Sequence, residues 1–305
     1  MIKKILVTGI LLIVFGVTLL YKDKILKTYY DYFVKETREV KLSSNEKNKY
    51  YRDYDFLYVQ NTTNFKPKNK QDLLNIIYTV LNSGKTKFTF YCPEEYKSCL
   101  PDVKSLAKDQ VTLSNINNYV HPYNSFKNIS TQTDTLGTVT LNIEKAYSDT
   151  DIKLIEETVK NIESQIFDSD LSTKDQIRKI HDYIIDNAKY DSNRTDNNVI
   201  EYKSDIAYGP LLEGYGICGG YSDAMAIFLN DLGIKNYKVS SAAHVWNAVE
   251  LYNSWYHLDL TWDDPVTNTG VDLLEDKFFL ISTEQLQTQE PSQHNFDLNV
   301  YKEFS

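Results

Sequence analysis

A chain of 305 residues, 42% hydrophobic and 25% charged, has the make-up of a folded globular protein with room for one large domain or two ordinary ones. Its formal charge of −9, without a basic stripe, excludes a nucleic-acid binder, which needs cations to neutralise phosphate. The acidity reads as a solubility feature rather than a binding signal.

Met1–Lys4 is a short basic segment, and Ile5–Leu20 runs without a charge up to Tyr21-Lys22-Asp23-Lys24. That is short for a membrane span but sufficient if Tyr21 and the flanking lysines sit at the interface. No small-x-small cleavage site follows Leu20, and no cysteine offers a lipoprotein anchor. Residues 1–24 are therefore expected to be an uncleaved membrane anchor, with a cleaved signal peptide as the rival, and the rest of the chain to be extracytoplasmic. Residues 25–54, polar and mixed in charge, are expected to form a stalk.

Residues 55–148 read as a small α+β domain. Leu73, Leu74, Ile76, Ile77, Val80 and Leu81 recur at helical spacing, and Lys87–Cys92 and Gly137–Ile143 have strand patterns. Cys92 and Cys99 are close enough in sequence for a local disulfide, and two free thiols fit equally well. Either way Cys218 is left odd, which in an exported protein asks for a chemical reason.

The domain expected at 149–305 opens with a helix that places Ile152, Ile155, Val159, Ile162 and Ile166 on one face. A second helix is predicted over 173–188, with Ser172 and Asp175 suited to its N-cap and N3 positions. The stretch 189–210 is polar and loop-like.

The window from Tyr208 to Pro265 holds Cys218, two of the five histidines and all three tryptophans, Trp246, Trp255 and Trp262. Gly214-Tyr-Gly-Ile-Cys218-Gly-Gly-Tyr is a glycine-rich approach to a helix over Ala224–Leu232. Cys218 then sits at a helix N-terminus, where free N–H groups and the positive dipole end favour a thiolate and a developing oxyanion. A structural cysteine in a tight turn is the competing reading.

His244–Leu251 and Trp255–Trp262 read as two strands joined at Tyr252-Asn253-Ser254. If the turn centres on Tyr252-Asn253, facing residues sum to 505, and His244 lies diagonal to Asp259 on one face, within bridging distance. A register of 507 would place Asp263 opposite His244 instead. A Cys–His–Asp set in chain order follows: imidazole takes the thiol proton, and carboxylate fixes its tautomer. His257 reads as a side-wall residue, His181 as packing on the second helix, His121 as a loop residue, and His294 has no evident partner. No zinc site of three or four ligands can be assembled from these spacings.

Ala207-Tyr-Gly-Pro-Leu-Leu-Glu-Gly-Tyr-Gly-Ile-Cys-Gly-Gly-Tyr, His244-Val-Trp-Asn and Trp255-Tyr-His-Leu-Asp-Leu-Thr-Trp-Asp-Asp-Pro265 closely resemble bacterial transglutaminase-like domains, which belong with the papain-like cysteine enzymes. The resemblance extends back to Ile180-His-Asp-Tyr-Ile-Ile and forward to Phe278-Phe-Leu-Ile-Ser, covering about residues 150–300. Residues 55–148 are only generally similar to the region preceding this domain in Gram-positive relatives. The resemblance implies Cys218 as nucleophile, His244 as general base and acid, and Asp259 as orienter. Gly219 departs from it, since many relatives carry glutamine there; this reads as a matter of substrate. Tyr208 and Tyr215 are candidates for a second oxyanion donor, and Asp263 and Asp264 read as shaping the turn after the strand.

The expected fold is α+β: a papain/transglutaminase-like core, with the nucleophile helix packed on an antiparallel sheet, preceded by a small α+β domain. The expected reaction is acyl transfer through a thioester on Cys218, to water (peptidase or amidase) or to an amine (cross-linking), with no cofactor or metal. Its partners would be a protein or peptide substrate, such as a cell-wall peptide, and the membrane. The rivals are an inactive binding or scaffold module of the cell envelope and a structural surface protein whose first domain acts.

Overall fold

The computed structural model describes residues 15–29, 40–265 and 275–305. They fall into two units, 1–41 and 42–305. In the first, residues 15–20 and α1 (Lys22–Tyr29) are helical, with Phe15, Leu19, Leu20 and Ile25 exposed. Residues 1–14 of the expected anchor lie outside the described residues, and among those described no helix is long and apolar enough to cross a membrane.

The first α-helix of the second unit, α2 (Lys70–Asn82), is started by the Asn69 side chain accepting from Asp72 N. It buries Leu73, Ile76, Ile77, Val80 and Leu81, the apolar stripe without Leu74. Strands β1 (Lys87–Tyr91), β2 (Phe126–Thr133) and β3 (Thr138–Lys145) form an antiparallel sheet in the order β1-β3-β2. Helices α3 (Cys99–Leu106) and α4 (Gln110–Asn117) lie between β1 and β2 in sequence. Cys92 and Cys99 are joined in a disulfide at the start of α3.

Helix α5 (Asp149–Ile166) opens with a capping box between Ser148 and Asp151, and α6 (Thr173–Asn187) with the Ser172 hydroxyl on Asp175 N. Their isoleucine stripes enter a core shared with Tyr123 and Tyr147 from the earlier part of the chain. The stretch expected as loop contains β4 (Lys189–Tyr190) and a short helix, α7 (Ser192–Asn197); β4 pairs in parallel with β5 (Tyr215–Gly216). Helix α8 (Cys218–Asp231) packs on an antiparallel sheet of β6 (Asn236–Ser240), β7 (Val245–Leu251) and β8 (Ser254–Leu258). After β8 come α9 (Leu260–Asp263) and α10 (Thr283–Gln289). This is the α+β arrangement of a helix on a sheet.

Residues 42–305 form one compact unit, so both the expected boundary at 148/149 and the end of the expected stalk at 54 fall inside it. The reason is visible at Arg52. Its guanidinium is buried and donates to Tyr119 O at 2.8 Å and Asn236 O at 2.9 Å, carbonyls from both halves of the chain. A buried cation stays only where such acceptors surround it. Tyr119 also stacks on Tyr237 with ring centroids 4.8 Å apart, and its hydroxyl donates to Val300 O.

Candidate functional site

Helix α8 is buried on almost every face, from Gly220 to Leu229, so it is held by more than an apolar stripe. Asp223 accepts from Lys238 Nζ at 2.5 Å and from the Tyr147 hydroxyl at 2.6 Å, while Asn247 Nδ2 donates to Ser222 O at 2.9 Å. These bonds tie the helix to β6 and β7. Its N-cap, Ile217, has extended backbone and no side chain able to cap. The first-turn N–H groups are thereby left for a ligand, and the partly exposed Cys218 is the first helical residue.

Two glycines make that turn possible. A Cβ on Gly220 would lie 2.3 Å from Ser204 O, and one on Gly219 2.9 Å from Asp205 O. The backbone of 204–206 presses against the start of the helix, which gives a packing reason for glycine after the cysteine.

Strands β7 and β8 form a tight hairpin. Tyr252 and Asn253 both take left-handed backbone (φ 54° and 61°), as a two-residue turn matched to strand twist requires. Pairs run from Leu251↔Ser254 to Asn247↔Leu258, the register whose numbers sum to 505. The second strand stops at Leu258, short of the expected Trp262. Asp259 breaks it: its Oδ1 accepts from Thr261 N at 3.0 Å and Trp262 N at 3.3 Å, capping α9. His244 stands just before β7 and Asp259 just after β8, and His244 Nε2 meets Asp259 Oδ2 at 2.5 Å. Cys218 stands near enough to the same imidazole to raise its proton affinity. With Nε2 taken by the carboxylate, Nδ1 is the nitrogen left for exchange with another group. Of the three residues singled out from sequence, His244 and Asp259 are thus in contact, and Cys218 lies within electrostatic reach of His244.

The charges in this cluster depend on one another. Burial alone would lower the proton affinity of His244, but Asp259, and then Cys218, reverse that and push its pKa up to about 10. Burial alone would raise Asp259, yet His244 and His294 hold its carboxyl well below the usual carboxylate range. Trp246 stacks on His244 (5.6 Å, 16°) and donates its indole N–H to His257 Nδ1 at 3.0 Å. His257 is therefore a neutral ring whose Nε2–H points at Thr283 Oγ1, 3.1 Å away. Burial, and then the neighbouring His294, pull its pKa down to about 3.

The other sequence candidates find different places. Asp263, the alternative partner for His244, bonds His181 Nε2 at 3.1 Å instead and accepts from Phe278 N at 2.9 Å. His181 is fully buried and also meets Asp182 at 2.8 Å. Asp264 accepts from the Tyr221 hydroxyl. Tyr208 lies under Lys203 Nζ (4.3 Å), and Tyr215 stacks on Tyr202 (4.2 Å). His121 is a buried ring accepting from Tyr123 N at 3.1 Å. Tyr190, not singled out as a site residue, is close enough to Cys218 that the sulfur's charge, after burial, raises its phenol.

The main residue missed is His294, read as having no partner. Its Nε2 lies 2.8 Å from Asp259 Oδ2, the atom that His244 uses. No local pattern signals it, because the pair is separated by 35 positions and an irregular segment. His244, Asp259 and His294 also present the donor types of a metal site, within 4.8 Å of one another. Zinc ligands at tetrahedral geometry stand about 3.3 Å apart, the edge set by bonds of about 2.0 Å. The contacts at 2.5 and 2.8 Å are shorter and fit shared protons better.

Residues 160–260 match the family model described as the Transglutaminase-like superfamily. No curated protein matches the chain. Similar solved structures include a crystal structure of a TGase, 16% identical over 48% of this chain and 48% of that one, with a TM-score of 0.32. Another is a candidate cysteine protease from Cytophaga hutchinsonii, 12% identical over 44% of this chain and 61% of that one, with a TM-score of 0.27. The chain thus spans about half of the first structure's length and under two thirds of the second's.

Proposed function

We propose that this chain is a cysteine enzyme acting on protein or peptide amides, with Cys218, His244 and Asp259 as its catalytic triad; the match of residues 160–260 to the transglutaminase-like superfamily model supports this reading. One observation carries the reading. An imidazole fixed through Nε2 by a buried carboxylate at 2.5 Å lies close enough to Cys218 to feel its charge, and Cys218 stands at a helix N-terminus without a side-chain cap.

In this mechanism the Cys218 thiolate attacks the amide carbon, and the oxyanion draws on N–H groups of the first turn of α8. His244, as imidazolium, gives its Nδ1 proton to the leaving amine, and a thioester remains on Cys218. Water or a second amine then enters, loses a proton to His244 and expels the thiolate. Asp259 holds the ring in place and stabilises its charged form.

A cavity of about 600 Å³ opens beside the segment that leads into His244, without Cys218, His244 or Asp259 in its lining, and its size suits a peptide substrate. Ser240, Ser241 and Ala242, just before His244, line it with Asn295 and with Gln110 and Ser114 of α4. A cell-surface location, with cell-wall peptides or surface proteins as substrates, draws support from the Cys92–Cys99 disulfide, which persists in oxidising compartments, and from the exposed apolar residues of 15–25. An anchor through residues 1–24 belongs to the same proposal.

The test is the pH dependence of Cys218 alkylation by iodoacetamide in the full chain and in His244→Ala. Fast labelling well below pH 8 that disappears in the variant supports the enzyme. Labelling with the profile of an ordinary thiol in both proteins would leave a binding or scaffold module instead.

A further inference from the structure

His294 is fully buried, and both its ring nitrogens face oxygen. Nδ1 lies 3.0 Å from the Glu290 carbonyl and Nε2 2.8 Å from Asp259 Oδ2. A carbonyl only accepts, so Nδ1 carries a proton. Asp259 already accepts from Thr261 N, Trp262 N and His244 Nε2, and a carboxylate so surrounded is ionised and has no proton to give. Nε2 must carry a proton as well. The ring is then doubly protonated, whereas His244 needs one proton for its bond to Asp259 and keeps Nδ1 for exchange with Cys218.

We propose that His294 is a positioning residue held as a buried imidazolium, the standing counter-charge of Asp259, and that it thereby sets the pH at which the Cys218–His244 ion pair forms. The first part concerns His294 and Asp259 alone; the second rests on the cysteine-enzyme reading. Among the described residues, the titratable groups around the ring are Asp259, His244 at 5.3 Å between ring centroids, the neutral His257, and the exposed Glu290 carboxylate on its own segment. Its remaining surroundings are aromatic: Phe278 stacked at 5.3 Å, Trp246 at 4.8 Å and Trp262 at 5.6 Å, π-faces that tolerate a cation.

A second positive charge beside Asp259 makes the His244 proton easier to release. Without it, the carboxylate would serve His244 alone, and the imidazolium would hold its proton more tightly. The same positive charge, 5.3 Å from the His244 ring, also favours thiolate over thiol in the pair that His244 forms with Cys218. Both limbs of the alkylation profile should therefore move to higher pH when the charge is removed, by roughly one to two pH units for charges at this spacing in a partly polar interior.

Two measurements on the full chain decide this. In protein labelled with 15N-histidine, both His294 ring nitrogens should resonate as protonated at neutral pH; one unprotonated nitrogen would overturn the proposal without reference to catalysis. In His294→Gln, which keeps an amide donor but no charge, the acid limb of Cys218 alkylation should rise by at least one pH unit, with the circular dichroism of the parent. A purely structural histidine would lower reactivity or stability while leaving the limb in place, and that result would also overturn the proposal. If His294→Gln does not fold, the nitrogen spectrum of the parent decides alone. An ordinary-thiol profile in the parent sinks the cysteine-enzyme reading, and with it the second part of the proposal, while the spectrum still decides the first.

Discussion

His244 bonds Asp259 Oδ2 through Nε2 at 2.5 Å, which leaves Nδ1 of the same ring for the sulfur of Cys218. This relationship fixes the sign of the pH response. Burial opposes the His244 proton, but Asp259 and Cys218 win and raise its pKa from 6.5 to about 10. A raised folded-state value means that the proton's stabilisation is complete below about pH 6.5 and is lost as pH rises towards and through about 10. The leaving amine needs that same proton. Hydrolysis of a peptide amide should accordingly fall as pH passes about 10, and the stability difference between wild type and His244→Gln should shrink over pH 6.5–10. Initial rates and urea midpoints from pH 6 to 11 measure both, and a difference that stays constant throughout would contradict the assignment.

Asp259→Asn should damage both chemistry and fold. The amide cannot balance an imidazolium, so turnover should drop by about three to four orders of magnitude, the loss seen when a triad acid becomes an amide. Two buried histidines also lose their shared anion, and breaking a buried pair costs on the order of 3–5 kcal/mol. Urea unfolding should show this loss, and adding His294→Gln should recover part of it. A double variant no more stable than Asp259→Asn would argue that His294 carries no charge.

What the sequence makes legible here is local. The isoleucines of α5 and α6 recur every three or four positions, so their helices are readable from period alone. Tyr252-Asn253 can be recognised as a two-residue turn, and once it is placed, simple counting brings His244 near Asp259. The strand end at Leu258 is less readable, because Asp259 belongs equally to a strand pattern and to a helix cap, and the cap prevails. Long-range partners leave no periodic trace. His294 reaches Asp259 across 35 positions, His181 reaches Asp263 across 82, and Arg52 reaches Asn236 across 184. The Arg52 contacts also explain why the end of a polar stretch that reads as stalk is tied into the compact unit.

The start of α8 should tolerate no side chain at position 220. The Cβ of Gly220→Ala would meet Ser204 O at 2.3 Å, and backbone cannot rotate away as a flexible side chain would. Overpacking of this kind costs about 1–3 kcal/mol, or roughly 3–10 °C in Tm for a domain of this size. Gly219→Gln, the residue of many relatives, has a milder conflict at 2.9 Å with Asp205 O and should fold after a small shift of residues 204–206. Differential scanning calorimetry should therefore rank the two variants, with Gly220→Ala the less stable. The reverse order would mean that 204–206 is not the wall described.

The disulfide should matter for the fold and not for the chemistry. Cys92 and Cys99 close a short loop, seven positions in sequence, between β1 and the first residue of α3. In the chain-entropy account a loop of this length restricts the unfolded state by about 2 kcal/mol, and Cys99 itself is buried. Cys92→Ser/Cys99→Ser should lose about that much stability in urea. Its Cys218 should still alkylate at neutral pH within about twofold of the parent rate, because His244, Asp259 and the bonds from Lys238 and Tyr147 that hold α8 remain in place. Both quantities can be read from one preparation. A large loss of Cys218 reactivity in the folded variant would show that order in the β1–α3 segment is needed at the site, through the α4 residues that wall the adjoining cavity.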